Sequence, residues 1–277
     1  MNRVFLAIIG ILMLVSCKQS GPTNEPAKNE TSKTEKQVEE RIRKPLSFSG
    51  TFYQITVIGS PDIIFTEGDY SIEAEGPSNI VNFVNINVDS HVLTVNMKNE
   101  DTIGTNQFTH GPSPITLYIS CPSLQLLAVC GTGSFKSVGA IHTPDMQVGV
   151  LGTGNIELDS VITAGTFRYD SSGDGNALFH HIQAQQDCNL LLSGKGNLNA
   201  DVDIAGNLLI ENDNCGNVVV SGKAHTADLS ILEESNCTAE FDADQLELTA
   251  LYGNVTLKGK YRQKDIHQGR NAKIAYK

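Results

Sequence analysis

The chain has 277 residues, 40% of them hydrophobic, and a formal net charge of −11. Residues 1–17 carry +1 and residues 18–44 carry +2, so residues 45–277 carry −14. Affinity for nucleic acid rests on basic side chains that displace counterions from phosphates, so a domain this acidic excludes nucleic acid as a partner.

Residues 1–17, MNRVFLAIIGILMLVSC, have the pattern of a secretory signal peptide, with a positive charge at Arg3 before an apolar run. The run from Val4 to Val15 has twelve residues, whereas a helix needs about 20 to cross a bilayer. The sequence LVSC at its end resembles the bacterial lipobox, in which the cysteine, here Cys17, carries the lipid. Because several acyl chains hold a protein firmly at a membrane, the sequence predicts a lipid anchor.

Residues 18–44 are predicted to be a disordered tether. The segment is rich in Lys, Glu, Thr and Asn and has almost no apolar side chains, so it buries too little surface to fold. A short helix over residues 35–43 is the alternative, although it would have no apolar face. The tether would join the lipid anchor to a folded domain that begins near residue 45.

Residues 45–129 are predicted to be an N-terminal β region that caps a larger fold. Short apolar runs such as residues 63–65 and 115–119 are separated by turn residues, among them Gly59-Ser60-Pro61-Asp62. Short strands joined by turns indicate an all-β region. A cap is needed because the open end of a stack of strands exposes unpaired backbone groups.

A glycine motif recurs along residues 130–258. Four copies of G-x-G-[SN] contain the glycines Gly131, Gly133, Gly152, Gly154, Gly173, Gly175, Gly194 and Gly196. A dinucleotide-binding loop needs a third glycine and then a helix, but that place is held by Lys136, Glu157, Leu178 and Asn199, and the residues after each copy are strand-like. The motif is therefore predicted to be architectural, and no cofactor is expected.

The last polar residue of each copy defines a column with a period of 21 residues that shortens to 18: Ser134, Asn155, Asn176, Asn197, Asn217, Asn236 and Asn254. Segments of this length with alternating apolar residues cannot bury their inner faces alone, which indicates a solenoid. We predict an all-β, parallel β-helix of about seven coils. Its glycines would turn the chain at positive φ, its asparagines would form a ladder, and the basic residues 259–277 would cap its far end.

Several stretches resemble a family known mostly from Bacteroidetes, the putative auto-transporter adhesins with a head GIN domain. They are Phe48-Ser49-Gly50 leading into ITVIGSPDIIFTEGDYSIEAEG, then VDSHVLTVNMKN, and SPITLYISCPSLQLLAVCGTGSF before the glycine repeat. The resemblance covers most of residues 46–260. It implies a right-handed parallel β-helix, usually on a lipoprotein at the cell surface, and it offers no catalytic residues.

No catalytic residue is predicted outright, although one column offers candidates. Four residues beyond the ladder position stand Asp159, His180 and Asp201, one coil apart, and carboxylates beside a histidine can shift its pKa toward acid–base work. The alternative is an exposed polar column of alternating charge that stabilises stacking. Arg168 with nearby aspartates at positions 170 and 174 is a second candidate of the same kind.

No metal site is predicted. The cysteines after Cys17 have no zinc-like spacing, and we expect them to be small buried side chains, with one disulfide left open. They are Cys121, Cys130, Cys188, Cys215 and Cys237.

These features together predict a non-catalytic, lipid-anchored protein of the outer membrane, periplasmic or surface-exposed, that acts as an adhesin-like or scaffolding solenoid. Its partners would be the membrane, through the lipid on Cys17, and an envelope or host glycan or protein. The alternative is a polysaccharide-binding or polysaccharide-degrading β-helix protein, a lyase or hydrolase, with a site on the solenoid flank. The chain has no tryptophan to build a sugar platform.

Overall fold

The computed structural model describes residues 40–97, 114–213 and 216–277, and 70% of these residues lie in β-strands. The predicted signal peptide, Cys17 and nearly all of the tether lie outside the described residues, as does Cys215. In this described part, one 3₁₀ turn, Val81–Phe83, interrupts the strands. Within the described part of the chain, no helix has the length and hydropathy to span a bilayer.

The strands before the glycine repeat are β1 Arg41–Pro45, β2 Gln54–Gly59, β3 Asp62–Glu67, β4 Ser71–Pro77, β5 Val84–Asp89, β6 Val92–Met97 and β7 Thr116–Cys121. The strands that follow are β8 Leu126–Gly131, β9 Phe135–Ser137, β10 Ala140–Thr143, β11 Met146–Val150, β12 Ile156–Leu158, β13 Ser160–Thr163, β14 Phe167–Ser171, β15 Ala177–Ala184, β16 Cys188–Leu192, β17 Leu198–Asn212, β18 Asn217–Ile231, β19 Asn236–Leu257 and β20 Tyr261–Tyr276.

From β8 onward the chain winds as a three-sided coil in which every strand pairs in parallel with the strand one turn away. The first side stacks β8, β11, β14 and β16. The second side stacks β9, β12 and the start of β15, and the third side stacks β10, β13 and the end of β15. The predicted parallel β-helix of about seven coils is confirmed.

The corners between sides become straighter toward the C-terminus, so one strand covers more than one side of a coil. In the β17–β18 pair, Leu198 lies opposite Val218 on the second side and Leu208 lies opposite Ala227 on the first side. A register shift between Ile204 and Asn207 marks the corner. The shortening repeat period follows, because fewer residues are spent in turns.

The core is a set of side-chain columns that run through the middle of the coils. One column on the first side consists entirely of buried residues in register: Val148, Tyr169, Leu190, Ile210, Leu229 and Leu248. Burial of such a side chain contributes roughly 1.5–3 kcal/mol. A single coil cannot bury its own apolar side chains. Each coil is therefore stabilised by packing against the neighbouring coils.

The start of the stack is not sequential. Strand β2 pairs in parallel with β6 on one edge and with β8 on the other, while β3 lies between β7 and β9 in the same way. The coil of β2 and β3 is therefore inserted between a coil of β6 and β7 and the coil of β8 and β9. Coils thus exist on both sides of residue 130, where the repeat becomes visible in the sequence.

The N-terminal end of the stack is covered by antiparallel strands. Strand β5 pairs antiparallel with β6, and β4 pairs antiparallel with β7. Strand β1 then adds to β4, so residues 41–44, which their composition had placed at the end of the tether, form part of the sheet. These short strands cover the end of the parallel stack and the edge hydrogen bonds of β6 and β7.

The C-terminal end consists of one more parallel strand. Residues of β20 lie in register with those of β19 from Tyr261 to Tyr276. The segment 259–277 therefore continues the winding of the coils, and its side chains form the last layer.

Candidate functional site: the polar flank of the solenoid

The outward surface of the second side, called the polar flank here, carries the asparagine ladder. Asn176 Oδ1 accepts hydrogen bonds from the backbone N and Nδ2 of Asn197, at 3.0 and 2.8 Å. The same pair of bonds joins Asn155 to Asn176 and Asn197 to Asn217. Side-chain bonds of 2.9 and 3.0 Å continue the ladder through Asn236 to Asn254.

The ladder continues beyond Asn155 toward the N-terminal end of the solenoid and reaches the inserted coil. The backbone N of Asn155 donates to Ser134 Oγ at 3.4 Å, and the backbone N of Ser134 donates to Asp62 Oδ1 at 2.8 Å. Burial raises the pKa of the Asp62 carboxyl, and the bond from Ser134 opposes that shift. Asp62 therefore occupies the ladder position of the coil formed by β2 and β3.

The glycines of the motif act through close approach and not through positive φ, which corrects the predicted role. None of the eight motif glycines is among the glycines with positive φ. A Cβ placed on Gly173 would lie 2.1 Å from the carbonyl oxygen of Gly152, and one on Gly175 would lie 1.9 Å from that of Gly154. Side chains are excluded because each corner packs backbone against backbone.

A short charged network lies beside the ladder on the polar flank. Lys136 Nζ and His180 Nε2 both contact Glu157 Oε1, at 2.9 and 3.1 Å, and so link three successive coils. The hydrogen bond from Lys136, followed by that from His180, holds the pKa of the Glu157 carboxyl below its usual range. Since all three side chains are substantially exposed, the network adds little stability.

The catalytic candidates Asp159, His180 and Asp201 each have a different partner. Asp159 Oδ2 accepts the backbone N–H of Gly139 at 2.9 Å, and His180 contacts Glu157 as described above. Asp201 Oδ2 contacts Nδ1 of His181 at 2.9 Å. The register shift in β15 between Phe179 and Ile182 inserts the second histidine there, which the even spacing of the column did not reveal.

Asp201 also accepts a hydrogen bond from Ser221 Oγ at 2.9 Å, through its other carboxylate oxygen. Both carboxylate oxygens of Asp201 thus accept bonds from neighbouring coils. This arrangement is the one expected of a polar column that stabilises the stacking of coils. The residues of the second candidate are also engaged, but not all of their bonds join coils. Arg168 donates two hydrogen bonds of 2.6 Å to the oxygens of Asp170, a bidentate pair within one strand, while Asp174 accepts from the backbone N of Lys195.

A shallow groove of about 330 Å³ lies at the N-terminal end of the flank. Arg43 lies over the ring of Tyr118, 3.7 Å from its centroid, and its Nε donates to Glu73 at 2.7 Å. The hydroxyl of Tyr118 donates to Glu75 at 3.0 Å, and this bond is the main reason that the pKa of the tyrosine is raised. The groove depends on β1, which the composition of the tether concealed.

The described cysteines are free thiols, and most of them belong to the core: Cys121, Cys130, Cys188 and Cys237. Burial raises the pKa of the Cys237 thiol to about 12, and burial likewise raises that of Cys188. Among residues 40–97, 114–213 and 216–277, no group of three or more His, Cys, Asp or Glu residues could hold a metal ion.

Comparison with known families identifies the N-terminal half of the folded domain. The model of a family described as "Putative auto-transporter adhesin, head GIN domain" matches residues 51–180. Residues 51–180 belong to the head GIN family. The head GIN segment runs from just before β2 into β15, so it contains the inserted coil and the first copies of the glycine motif. No protein of curated function matches the chain.

Solved structures share the fold at low sequence identity. A putative adhesin from Parabacteroides merdae has a TM-score of 0.65 at 14% identity, with coverage of 87% of this chain and 97% of its own. A putative adhesin from Bacteroides fragilis has a TM-score of 0.55 at 16% identity, with coverage of 86% and 98%. A putative lipid binding protein from Parabacteroides distasonis has a TM-score of 0.58 at 18% identity, with coverage of 86% and 97%. The fold that these structures share with this chain therefore reaches beyond residues 51–180.

Proposed function

We propose that this protein is a non-catalytic, lipid-anchored protein of the cell envelope that uses its polar flank as a binding surface. The observation that carries the proposal is the ladder itself. Hydrogen bonds between coils fix the side chains of Asn155, Asn176, Asn197 and Asn217 in one orientation before any ligand arrives. A surface that is already ordered loses little conformational entropy on binding.

The ligand class follows from the repeat of the surface. Equivalent side chains recur on neighbouring coils about 4.8 Å apart, so an extended polymer that lies along the solenoid axis meets the same polar groups several times. Many weak contacts on one polymer combine into useful avidity. An envelope or host glycan, or an extended protein segment, has this form. The names of the similar structures, two adhesins and one lipid-binding protein, agree with a binding role at the envelope.

A matched pair of variants tests the flank. Asn199 is exposed on the polar flank beside the ladder, and Asn189 faces outward on the first side, in register with Arg168. Binding of the purified full-length protein to envelope polysaccharide and to whole cells is measured for Asn199→Arg and Asn189→Arg. We expect about a tenfold loss of affinity for the first variant only, equivalent to about 1.4 kcal/mol. Equal affinities of both variants would exclude the flank as the binding surface.

The alternative function, degradation of a polysaccharide, is tested with the same polysaccharide and predicts that products are released from it. An enzyme would release reducing ends or unsaturated products from the polysaccharide. This release would be lost in the variants Asp159→Ala, His180→Ala and Asp201→Ala, although these variants would unfold at the same temperature as the wild type. We expect no such release, because each of the three residues is engaged with a different partner.

The lipid anchor on Cys17 has its own test. Cys17→Ser should move the protein from the outer-membrane fraction to the soluble fraction, since the acyl chains would be lost. Retention of the variant in the membrane fraction would contradict the proposed anchor. Protease treatment of intact cells then distinguishes a surface-exposed location from a periplasmic one.

A further inference from the structure

The last coil of the solenoid differs from the others in what its core-facing positions contain. Leu246, Ala250 and Leu257 are buried in β19, and their partners in register in β20 are Lys264, Gln268 and Tyr276. Lys264 Nζ lies 5.0 Å from the centroid of the Tyr276 ring, across the end of the core. Gln268 Nε2 donates to the carbonyl of Ala272 at 2.7 Å. Ile266 and Ile274, the partners of Leu248 and Val255, remain apolar and partly buried, so only some of the apolar columns end in polar side chains at this coil.

The outer edge of β20 has no partner strand among the described residues. The strand has sixteen residues, and within the described residues it pairs only with β19. The edge has no Pro and no bulge that would turn it away along its second half, from Asn271 to Tyr276. An edge of this length can add a further strand through main-chain hydrogen bonds.

Exposed aromatic side chains and a cluster of basic residues lie around this edge. Tyr276, Leu251 and Tyr252 are 59%, 45% and 40% exposed, and they are three of the five large hydrophobic residues that are most exposed in the described chain. Residues 258–277 contain seven basic residues and one acidic residue in a chain of net charge −11. Tyrosine and arginine are among the residues enriched at binding hot spots.

From these features we propose that the edge of β20 binds an acidic, extended segment of another protein as an added strand. Main-chain hydrogen bonds to β20 supply affinity, and Lys273 and Arg270, both exposed and both without an acidic partner among the described residues, select for carboxylates. A second copy of this chain is disfavoured at the same edge. Two basic ends would face each other, and like charges across an interface oppose association.

The charge and the hydrogen bonds of the edge can be tested separately with peptides. The probe is an eight-residue peptide that alternates Glu with Val, acetylated and amidated, and its binding to the full-length protein is measured by fluorescence anisotropy. The first control is the same peptide with alternate backbone nitrogens methylated, which keeps its charge and loses hydrogen-bond donors. The second control replaces Glu by Lys.

We expect the Glu–Val peptide to bind and both control peptides to bind at least tenfold more weakly. Lys273→Glu should weaken binding of the Glu–Val peptide at least fivefold, whereas Lys195→Glu, an equal charge change on an exposed corner far along the chain, should leave it unchanged. Equal binding of the methylated peptide would overturn strand addition in favour of charge attraction alone. Absence of binding would overturn the proposal outright.

Two further outcomes identify other occupants of the same end. The first outcome is displacement of the Glu–Val peptide by vesicles that contain 30% phosphatidylglycerol. Displacement would show that the basic end contacts anionic lipid, and it would overturn the proposal that a protein segment binds there. A concentration-dependent dimer of the wild type in light scattering, lost in Tyr276→Ala, would show that a second copy occupies the edge. Neither outcome affects the proposed role of the polar flank, whose variants lie on other coils.

Discussion

Asn197 is bonded to Asn176 twice, through its backbone nitrogen at 3.0 Å and through Nδ2 at 2.8 Å, although the two residues lie 21 positions apart. One side-chain oxygen thus fixes the start of the strand above it. The register of neighbouring coils and the order of the polar flank depend on the same atoms.

Asn176, at the centre of the ladder, should contribute measurably to the free energy of unfolding. Asn176→Ala removes the acceptor of both bonds from Asn197 and the donor to Asn155. We expect the free energy of unfolding to fall by about 1–2 kcal/mol, because water replaces part of what is lost at this exposed site. Urea unfolding followed by circular dichroism gives the value. Asn199→Ala, on the same flank outside the ladder, should change it by less than about 0.5 kcal/mol; an equal loss there would argue against the ladder.

The close approach of the motif glycines predicts a larger effect. Gly173→Ala would place a Cβ 2.1 Å from the carbonyl oxygen of Gly152, and two corners of backbone would have to move apart. We expect a loss of about 3 kcal/mol or a failure to fold, as for severe overpacking. Gly68→Ala is the matched control, since a Cβ there meets no atom within 4 Å. Thermal unfolding that shows equal effects for both alanines would refute the explanation.

The network around Glu157 predicts a specific pH dependence. Lys136 and His180 lower the pKa of the carboxyl in the folded protein, so the network stabilises the fold above the unfolded pKa, near 4.3, and this contribution disappears as the pH falls through the folded value. Glu157→Gln should therefore reduce stability at pH 6 by about 0.5 kcal/mol, a size typical of exposed pairs. At pH 2.5 wild type and variant should be equally stable by urea unfolding. A difference that does not depend on pH would contradict the assignment.

Thiol labelling reports on the core without any substitution. Burial raises the pKa of Cys130, Cys188 and Cys237, but Cys188 and Cys237 are fully buried in the columns, whereas Cys130 is only half-buried. Because the thiolate is the reactive form and must be accessible, a maleimide at pH 8 should modify Cys130 before Cys188 and Cys237 in the native protein. Peptide mass spectrometry identifies the sites, and guanidinium should equalise their rates. Early labelling of Cys188 would mean that the coils are not closed around it.

The repeat in the second half of the chain could be predicted from the sequence because its signal is local. Each ladder residue follows a turn and precedes a strand with alternating apolar residues, so the period near 21 survives even where the glycines are lost. The all-β solenoid followed from that period. The mechanism of the glycines did not follow, since close approach to another coil and positive φ both favour glycine.

The inserted coil could not be predicted, because its neighbours are distant in the chain. Strand β2 pairs with β8, more than sixty residues later, and the segment from β4 to β7 lies between them in sequence. A weak signal was present. Gly59 and Asp62 occupy the positions that Gly131 and Ser134 hold one coil away, but Pro61 stands where the motif has glycine.

The candidate site could likewise be predicted only in part from the sequence. Spacing alone placed Asp159, His180 and Asp201 in one column, yet the register shift in β15 brings His181 and not His180 to Asp201. Bulges depend on packing across coils, which the spacing of residues does not contain. The groove beside Tyr118 was hidden for another reason, because Arg43 lies in a segment whose composition is that of a tether.

The most direct test of the stacked corners is a pair of engineered disulfides at exposed positions. Thr153 and Asp174 occupy the same corner of adjacent coils, and Lys195 occupies it one coil further. Adjacent coils are about 4.8 Å apart, within the Cα separation of up to about 7 Å that a disulfide spans. Mild oxidation of Thr153→Cys/Asp174→Cys should give a disulfide, mapped by mass spectrometry, and Thr153→Cys/Lys195→Cys should not. Equal cross-linking of the two pairs, or none in the first, would contradict a solenoid whose glycine and asparagine positions are its corners.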